Sequence, residues 1–303
     1  MVWSPAYEVD VGPHVFPTAK YRLVRERLLE EGTLDEGDFV EPEPASREDL
    51  ARVHTPSYLE KIERGDFSHS EVLRLEVPFS AELRESMTLC CGGTTLAGRR
   101  ALEEGVAVHL GGGFHHAFAD HGEGFCLLND VAVAAAALLA RDEARRIAVV
   151  DLDVHQGNGT AAIFADEDRV FTFSMHQERN YPFPKPPSDL DVGLEDGIGD
   201  DAYLSRLREH LPGILGEGEP DLAFYLAGAD PYREDQLGGL GLSMDGLRTR
   251  DDYVLEICRA AGVAVAILPA GGYAVRESDT VEIHCATVRA AVAAYIPPPG
   301  TRP

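Results

Sequence analysis

One stretch near the middle of the chain restricts the possible folds more than any other: an apolar run that ends in polar residues and glycines. It reads Ile147-Ala-Val-Val-Asp151-Leu-Asp153-Val-His155-Gln-Gly157-Asn158-Gly159. The apolar run predicts a buried strand, and the glycines predict the loop that leaves it. Asp151, Asp153 and His155 alternate with other residues, so in an extended chain their side chains point the same way. Carboxylates and an imidazole at one strand end indicate a metal site; the plainer interpretation is a buried acidic turn that caps a helix.

Apolar strand patterns alternate with helical patterns along most of the chain. Strands are predicted at 106–110, 147–153, 169–175, 222–226 and 263–268, and helices at 21–31, 83–104, 131–143, 159–165, 202–216, 250–261 and 278–294. This alternation predicts an α/β fold with a parallel β-sheet flanked by helices. Because the sequence shows neither an internal repeat nor a linker, we expect residues 1–303 to form a single domain. Gly92 and Gly93 indicate either close packing or a break within the helix at 83–104.

Other polar clusters also fall at the ends of predicted strands, where ligands bind in parallel sheets. Asp230 follows one such strand, between Gly228 and Pro231. Although a lone aspartate at a strand end is usually a cap or turn residue, this position favours a third metal ligand beside Asp153 and His155. Two carboxylates and an imidazole suit Zn²⁺, and the absence of a thiolate admits Fe²⁺ or Mn²⁺ as well.

Two adjacent histidines and a tyrosine provide the groups for acid–base chemistry. His115 and His116 follow a glycine-rich turn, and one imidazole can take a proton from water while the other supplies charge or a proton. Each needs a partner on its second nitrogen, and Asp151 and Asn158 are the candidates. Tyr273 follows two glycines at a strand end and can donate a hydrogen bond to a developing oxyanion. The plainer alternative for Tyr273 is an aromatic ring that packs on the core from a turn.

The acidic composition argues against two classes of partner. The net charge is -25 and the sequence pI is about 4.7, which argues against nucleic acid and against an anionic membrane surface. The chain has five cysteines and no Cys-x-x-Cys pair, so we expect a reducing, cytoplasmic location rather than a disulfide framework. Neither a signal peptide nor a membrane-spanning apolar run is expected.

Six segments together resemble, in order, the metal-dependent histone deacetylase superfamily, whose members share the arginase-like fold. They are Gly112-Gly-Phe-His-His-Ala117, Gly124-Phe-Cys-Leu-Leu-Asn-Asp130, Asp151-Leu-Asp-Val-His-Gln-Gly-Asn-Gly159, Ser174-Met-His176, Gly228-Ala-Asp230 and Gly271-Gly-Tyr273. Phe114 and the sequence Ala270-Gly-Gly-Tyr273 look most like the class IV branch and its bacterial relatives. Residues before 90 match the family more loosely.

The resemblance implies a role for each matching residue. Zinc is held by Asp153, His155 and Asp230; His115 pairs with Asp151; His116 is the general base; Tyr273 polarises the carbonyl; and Gly113, Gly124 and Phe125 line the substrate channel. A potassium ion is expected near Asp151 and Ser174, with backbone carbonyls of Asp153, His155 and Met175 around it. Some branches carry an acid where Asn158 stands, so a neutral partner predicts that His116 is the weaker base or more often neutral.

The expected activity is zinc-dependent hydrolysis of an amide, which removes an acyl group from an acyl-lysine protein or peptide. Acetylpolyamines and related acylated amines are alternative substrates, and the oligomeric state is left open. A ureohydrolase with two manganese ions and an acyl-amine binder without catalysis are the rival functions. The glycines at 111–113 leave room for an acyl chain longer than acetyl, and the Pro-rich loop at 180–187 is expected to be functional or a rim.

Overall fold

The computed structural model describes residues 1–216 and 218–296, so the last residues of the expected domain at 1–303 lie outside the described part. The helices are α1 (Lys20–Glu30), α2 (Arg47–Leu50), α3 (Pro56–Arg64), α4 (His69–Leu75), α5 (Ala81–Glu104), α6 (Asp130–Ala140), α7 (Asn158–Phe164), α8 (Asp200–Gly216), α9 (Met244–Ala261) and α10 (Glu277–Tyr295). The strands are β1 (Val106–Val108), β2 (Ile147–Asp151), β3 (Val170–Gln177), β4 (Leu190–Leu194), β5 (Leu222–Leu226) and β6 (Ala264–Leu268). None of the helices described is long and apolar enough to cross a membrane.

The strands form one parallel sheet, as the alternating pattern predicts. Their order is β1-β6-β5-β2-β3-β4. The central strand β2 pairs with β3 on one side and with β5 on the other, so that Asp151 lies opposite both Ser174 and Leu226. All carboxyl ends therefore meet at one edge of the sheet, which is where the polar clusters were expected to converge.

Helices cover both faces of the sheet. Helices α5, α6 and α7 pack on one face, and α1, α8, α9 and α10 on the other. Along β2, Val149 belongs to the apolar core beneath the first group and Val150 to the core beneath the second. Since both faces are buried, strands β2, β5 and β6 are continuously apolar rather than alternating.

Residues before 130, joined by Val133 and Tyr273, build a third apolar cluster beside the carboxyl ends of the strands. It includes Phe16, Tyr58, Leu75, Phe114 and Tyr273. Asn129 is the N-cap of α6, because its side chain accepts a hydrogen bond from the backbone N–H of Ala132 at 2.9 Å. This cluster forms the wall against which the polar strand ends are packed.

The sequence pattern left one local feature open and missed another. Helix α5 continues through Gly92 and Gly93, where a Cβ atom would lie 1.9 Å from the carbonyl oxygen of Glu43 and 2.4 Å from Nε2 of His109, respectively. Of the two interpretations, close packing is therefore correct. Strand β4 was not predicted, because its residues lie at the sheet edge and alternate between half-buried and exposed rather than forming an apolar run.

Candidate active site

The polar side chains that follow four different strands converge in one buried site. Each lies at or beyond the carboxyl end of its strand, and these ends share one edge of the sheet. They are His115 and His116 after β1, Asp151, Asp153 and His155 at the end of β2, Asp230 after β5 and Tyr273 after β6, and each is buried. The structure thus brings together all the predicted catalytic and metal-ligating residues, including Asn158 at the start of α7.

Three side chains present converging ligand atoms. Nδ1 of His155 lies 3.1 Å from Oδ1 of Asp153 and 3.4 Å from Oδ2 of Asp230. One ligand atom from each residue lies within 4.8 Å of the others. This is the predicted set of two carboxylates and one imidazole, and its nitrogen donor is Nδ1.

The backbone fixes the outward-facing oxygens of both carboxylates. The N–H of Gly271 donates to Oδ2 of Asp153 at 2.8 Å, and the N–H of Val154 donates to Oδ1 of Asp230 at 2.9 Å. Oδ2 of Asp230 is buried without a hydrogen-bond partner among the described residues. Burial and the nearby Asp153 carboxylate raise the pKa of Asp230. A cation is the missing partner for such an atom, so the residues present fit a zinc or ferrous ion.

The histidine pair occupies the wall next to these ligands. Nδ1 of His115 lies 2.6 Å from Oδ2 of Asp151, and Nδ1 of His116 lies 2.7 Å from Oδ1 of Asn158. The two Nε2 atoms are 3.1 Å apart. Burial opposes the charged form of His115, but Asp151 and Asp153 raise its pKa to about 9. Burial, followed by the charges of its two histidine neighbours, lowers the pKa of His116 well below its usual value, which agrees with a neutral imidazole.

Tyr273 follows the end of β6 and borders the cavity next to these ligands. Its backbone N–H donates to Oδ2 of Asp235 at 2.7 Å, which fixes the turn. The preceding Gly272 has a φ of +152°, and a Cβ there would lie 2.9 Å from Cβ of Ala229, so only glycine fits. Burial and then the Asp153 and Asp230 carboxylates raise the pKa of Tyr273 well above its usual value. Its hydroxyl therefore remains a hydrogen-bond donor.

Aromatic rings surround the entrance to the site. Phe125 has a φ of +68°, in the left-handed region that a bulky residue rarely adopts. Its ring stacks on Phe16 with centroids 5.8 Å apart and meets Tyr273 edge to face at 5.9 Å. Tyr181 forms the opposite wall, 5.0 Å from the ring of His116. The rings of Phe125, Tyr273 and Tyr181 border a cavity of about 280 Å³, also lined by Gly124, so the Pro-rich loop that carries Tyr181 is a rim, as expected.

The glycine-rich turn after β1 does not leave the space that the sequence suggests. A Cβ at Gly111 would lie 2.5 Å from the ring of Tyr7, and a Cβ at Gly112 would lie 2.6 Å from Oδ2 of Asp130. At Gly113 it would lie 2.7 Å from Cα of Ala270. The expectation of free room here is wrong, because neighbouring groups fill it. The cavity that Gly113 borders next to the metal ligands measures only about 20 Å³.

The residues expected around a potassium ion lie on the other side of Asp151. Ser174 is its register partner in β3, and the Ser174 hydroxyl lies 2.9 Å from Nδ1 of His176. Met175 is fully buried beside it. The N–H of Gln177 donates to the carbonyl of Val154 at 2.9 Å, which joins β3 to the loop of the metal ligands. These contacts place Ser174 beside Asp151 and join β3 to the loop at 153–155, and the ion itself remains a prediction.

Four residues of the site were not predicted. Glu123 and Tyr181 lie at the rim, and Asp235 supports Tyr273. Lys20 is completely buried and donates to the carbonyl oxygen of Ala270 at 2.6 Å, and burial lowers its pKa to about 8. A lysine at the start of an amphipathic helix gives no sequence signal of such a position. For Tyr181 a signal was present, because an aromatic residue in a long Pro-rich loop is a candidate for the rim of a site.

The sheet and the site together define an α/β protein of the arginase/deacetylase type. The chain belongs to the histone deacetylase family, since the family model described as histone deacetylase domain matches residues 14–288. An uncharacterized protein of Picosynechococcus sp. is 43% identical over 296 residues, which cover 97% of this chain and 99% of that protein. Histone deacetylase 2 of Arabidopsis thaliana is 33% identical and covers 90% of this chain and 74% of its own.

Further relatives and solved structures agree with this assignment. The acetoin utilization protein AcuC of Bacillus subtilis is 30% identical, over 80% of this chain and 69% of its own. The crystal structure of an HDAC homolog complexed with SAHA is similar with a TM-score of 0.77 and 24% identity, over 92% of this chain and 79% of that chain. The HDA15 HD domain gives the same TM-score of 0.77 at 22% identity, over 96% of this chain and 90% of its own. At these identities the solved structures establish the fold.

Proposed function

We propose that the chain is a zinc-dependent amidohydrolase that removes a short acyl group from an acyl-lysine side chain or a related acylated amine. One observation supports this most directly. Asp153, His155, the imidazole of His116 and the ring of Tyr273 line the same narrow cavity, and Asp230 completes the ligand set beside Asp153 and His155. That arrangement supports a reaction in which a Lewis acid, a base and a hydrogen-bond donor act on one carbonyl group.

The side chains divide the reaction between them. A zinc ion held by the three ligands would supply a polarised carbonyl and an acidified water molecule. The lowered pKa of His116 keeps its imidazole neutral, and Asn158 engages its Nδ1. Its Nε2 therefore carries the lone pair that accepts the proton of the attacking water. His115, which Asp151 holds in the charged form, stabilises negative charge beside it. The Tyr273 hydroxyl donates to the oxyanion, and the proton taken up by His116 passes to the leaving amine.

The size of the inner cavity favours a short acyl group. Its volume of about 20 Å³ is little more than the roughly 10–15 Å³ that one water molecule needs, which supports an acetyl group over a long fatty chain. The earlier expectation of a longer acyl chain depended on free room at the glycines at 111–113, which the structure fills. Acetyl-lysine peptides and acetylated polyamines therefore precede long-chain substrates as candidates.

The finer expectations belong to the same proposal. A potassium ion near Asp151 and Ser174 would screen the buried carboxylates. The proposal also includes a single catalytic domain over residues 1–303 and membership of the class IV branch. It further includes a cytoplasmic location, with neither nucleic acid nor membrane as a partner. The branch assignment depends on Phe114 and on Ala270-Gly-Gly-Tyr273.

Two rival functions make different demands on the site. A ureohydrolase with two manganese ions needs a second ligand set, and within residues 1–216 and 218–296 one three-residue group of converging ligands is found. An acyl-amine binder without catalysis needs no base or oxyanion donor, yet His116 and Tyr273 are both positioned at the cavity. The geometry therefore favours the hydrolase.

The test is turnover by the purified full chain, with its metal content measured in the same preparation. The substrates are one peptide carrying acetyl-, butyryl-, octanoyl- or myristoyl-lysine, together with N-acetylspermidine, each assayed with zinc and with a chelator. We expect one metal per chain and the highest kcat/KM with the acetyl or butyryl group. Two manganese ions per chain would favour the ureohydrolase, and binding without turnover of any substrate would favour the binder.

A further inference from the structure

A chain of hydrogen bonds extends from His116 away from the cavity and ends at a carboxylate. Nδ1 of His116 lies 2.7 Å from Oδ1 of Asn158. The side-chain amide of Asn158 then donates from Nδ2 to Oε1 of Glu123 at 2.7 Å. Tyr181 donates its hydroxyl to the same oxygen at 2.8 Å. The neutral partner of His116 is therefore itself bonded to a negative charge.

The direction of every bond in this chain follows from its outer end. An ionised carboxylate only accepts hydrogen bonds, whereas an asparagine amide donates from nitrogen and accepts at oxygen. Because Glu123 accepts, Asn158 must turn its Nδ2 toward Glu123 and its Oδ1 toward His116. An oxygen facing His116 requires a proton on Nδ1, which leaves the lone pair of His116 on Nε2. Nε2 is the nitrogen that faces His115 and the cavity.

Glu123 is fixed well enough to set this direction. Its backbone N–H donates to the carbonyl of Cys126 at 3.1 Å, and the N–H of Cys126 returns a bond of 2.9 Å. The side chain is 20% exposed. Burial raises the pKa of its carboxyl, but hydrogen bonds from His121, Tyr181 and Asn158 leave the pKa below its usual value. The group is therefore an acceptor at neutral pH.

We infer that Glu123 is a positioning residue that acts through Asn158 to keep His116 in the Nδ1–H tautomer, with the lone pair of Nε2 facing His115 and the cavity. This inference concerns the role of His116 in the proposed function and adds to it the group that fixes its tautomer. Asn158 alone does not fix the tautomer, since an amide can present either its oxygen or its nitrogen to a histidine ring. The carboxylate of Glu123 removes that ambiguity.

The test exchanges the amide and the carboxylate. In Glu123→Gln, residue 123 can offer either an oxygen or a nitrogen to Asn158, so both amide orientations and both tautomers become accessible. In the double variant Glu123→Gln with Asn158→Asp, a carboxylate faces Nδ1 of His116 directly, and the amide of residue 123 donates to it. The control is Asp120→Asn, which removes a charge that contacts His121 at 2.6 Å in the same loop but has no bond to Asn158.

The readout is the tautomer of His116 by nitrogen NMR of the zinc-loaded full chain with ¹⁵N-labelled histidine, with the signal assigned by His116→Gln. We expect the Nδ1–H form in the wild type, a mixture in Glu123→Gln, and recovery in the double variant. The kcat on an acetyl-lysine peptide should fall about tenfold in Glu123→Gln, as for loss of one hydrogen bond to a charged group, with little change in KM. The double variant should recover most of it, and Asp120→Asn should match the wild type.

Several results would overturn the inference. An Nε2–H tautomer in the wild type would do so without any variant. A Glu123→Gln protein that keeps one tautomer and full kcat would also do so, as would a double variant that folds but recovers neither. The tautomer is measured without substrate, so a wild type that fails to turn over any acylated amine refutes the proposed function and leaves the NMR result to decide on Glu123.

Discussion

The backbone N–H of Gly271 donates a hydrogen bond of 2.8 Å to Oδ2 of Asp153, although the two residues are 118 positions apart in the chain. This bond joins the end of β6 to the end of β2 and turns Oδ1 of Asp153 toward the other ligands. The glycine also leaves the ligand position open, because a Cβ at residue 271 would lie 2.0 Å from Oδ2 of Asp230. The metal-site geometry thus depends on a residue that supplies no ligand atom.

Gly271→Ala should therefore abolish metal binding. The added methyl group occupies the space between the Asp153 and Asp230 carboxylates, at 2.5 and 2.0 Å from their nearest oxygens, and both must move apart. Metal content by mass spectrometry and deacylase activity are the measurements. The matched control is Gly213→Ala in α8, where a Cβ meets nothing within 4 Å and both values should match the wild type. Full metal content in Gly271→Ala would contradict the ligand assignment.

Tyr273→Phe should lower kcat while the metal stays bound. The hydroxyl acts on charge that develops in the transition state, and removal of one such donor lowers kcat by about 10²–10³-fold. The ring itself is retained, so its contact with Phe125 and the binding of substrate should persist. The measurements are kcat, KM and metal content on an acetyl-lysine peptide. A kcat equal to that of the wild type would exclude Tyr273 from the reaction.

The sequence predicts much of this site because strand ends are marked by local patterns. The apolar run before Asp151 and the glycines after His155 place three residues at the sheet edge without any knowledge of tertiary contacts. Contacts between residues that are far apart in the chain leave no local sequence pattern. The position of Glu123 behind Asn158, for example, depends on how separate loops pack. The glycines at 111–113 show the same limit, since their sequence does not reveal that Tyr7 fills the space beside them.

Asp251→Asn should destabilise the whole fold. Arg250 is fully buried, and its Nε donates to Oδ1 of Asp251 at 2.8 Å. The same guanidinium donates from its Nη1 atom to the carbonyl oxygen of Gly228 at 2.7 Å, next to the loop of Asp230. Removing the charge of Asp251 leaves a buried cation without its counter-ion, which costs about 3–5 kcal/mol. The free energy of unfolding from urea titration measures the effect.

An exposed ion pair provides the control for that substitution. Arg206 and Glu209 in α8 lie 3.5 Å apart with 58% of each side chain exposed, and such pairs contribute little. Glu209→Gln should leave the unfolding midpoint almost unchanged. If Asp251→Asn is as mild as Glu209→Gln, the buried charge has found another partner and the argument for Asp251 fails.

The last prediction concerns acid stability and His109. This histidine is fully buried between Tyr7 and Thr94, 2.7 and 2.9 Å from their hydroxyl oxygens, and burial lowers its pKa to about 3 from 6.5. Between about pH 3 and pH 6.5 the unfolded chain therefore binds a proton at His109 that the folded chain does not bind. The stability from this group is complete above pH 6.5 and is lost as the pH falls, by roughly 3 kcal/mol at pH 4.

His109→Gln should flatten this dependence, although it lowers stability at neutral pH because it disturbs the bonds to Tyr7 and Thr94. The neighbouring Asp130, whose pKa burial raises to about 6, contributes with the opposite sign, so the variant and the wild type are compared at each pH. The measurement is the free energy of unfolding in urea from pH 4 to pH 8. His69→Gln, at an exposed histidine, should keep the wild-type slope. Equal slopes in the wild type and His109→Gln would mean that His109 is protonated without unfolding, against its complete burial.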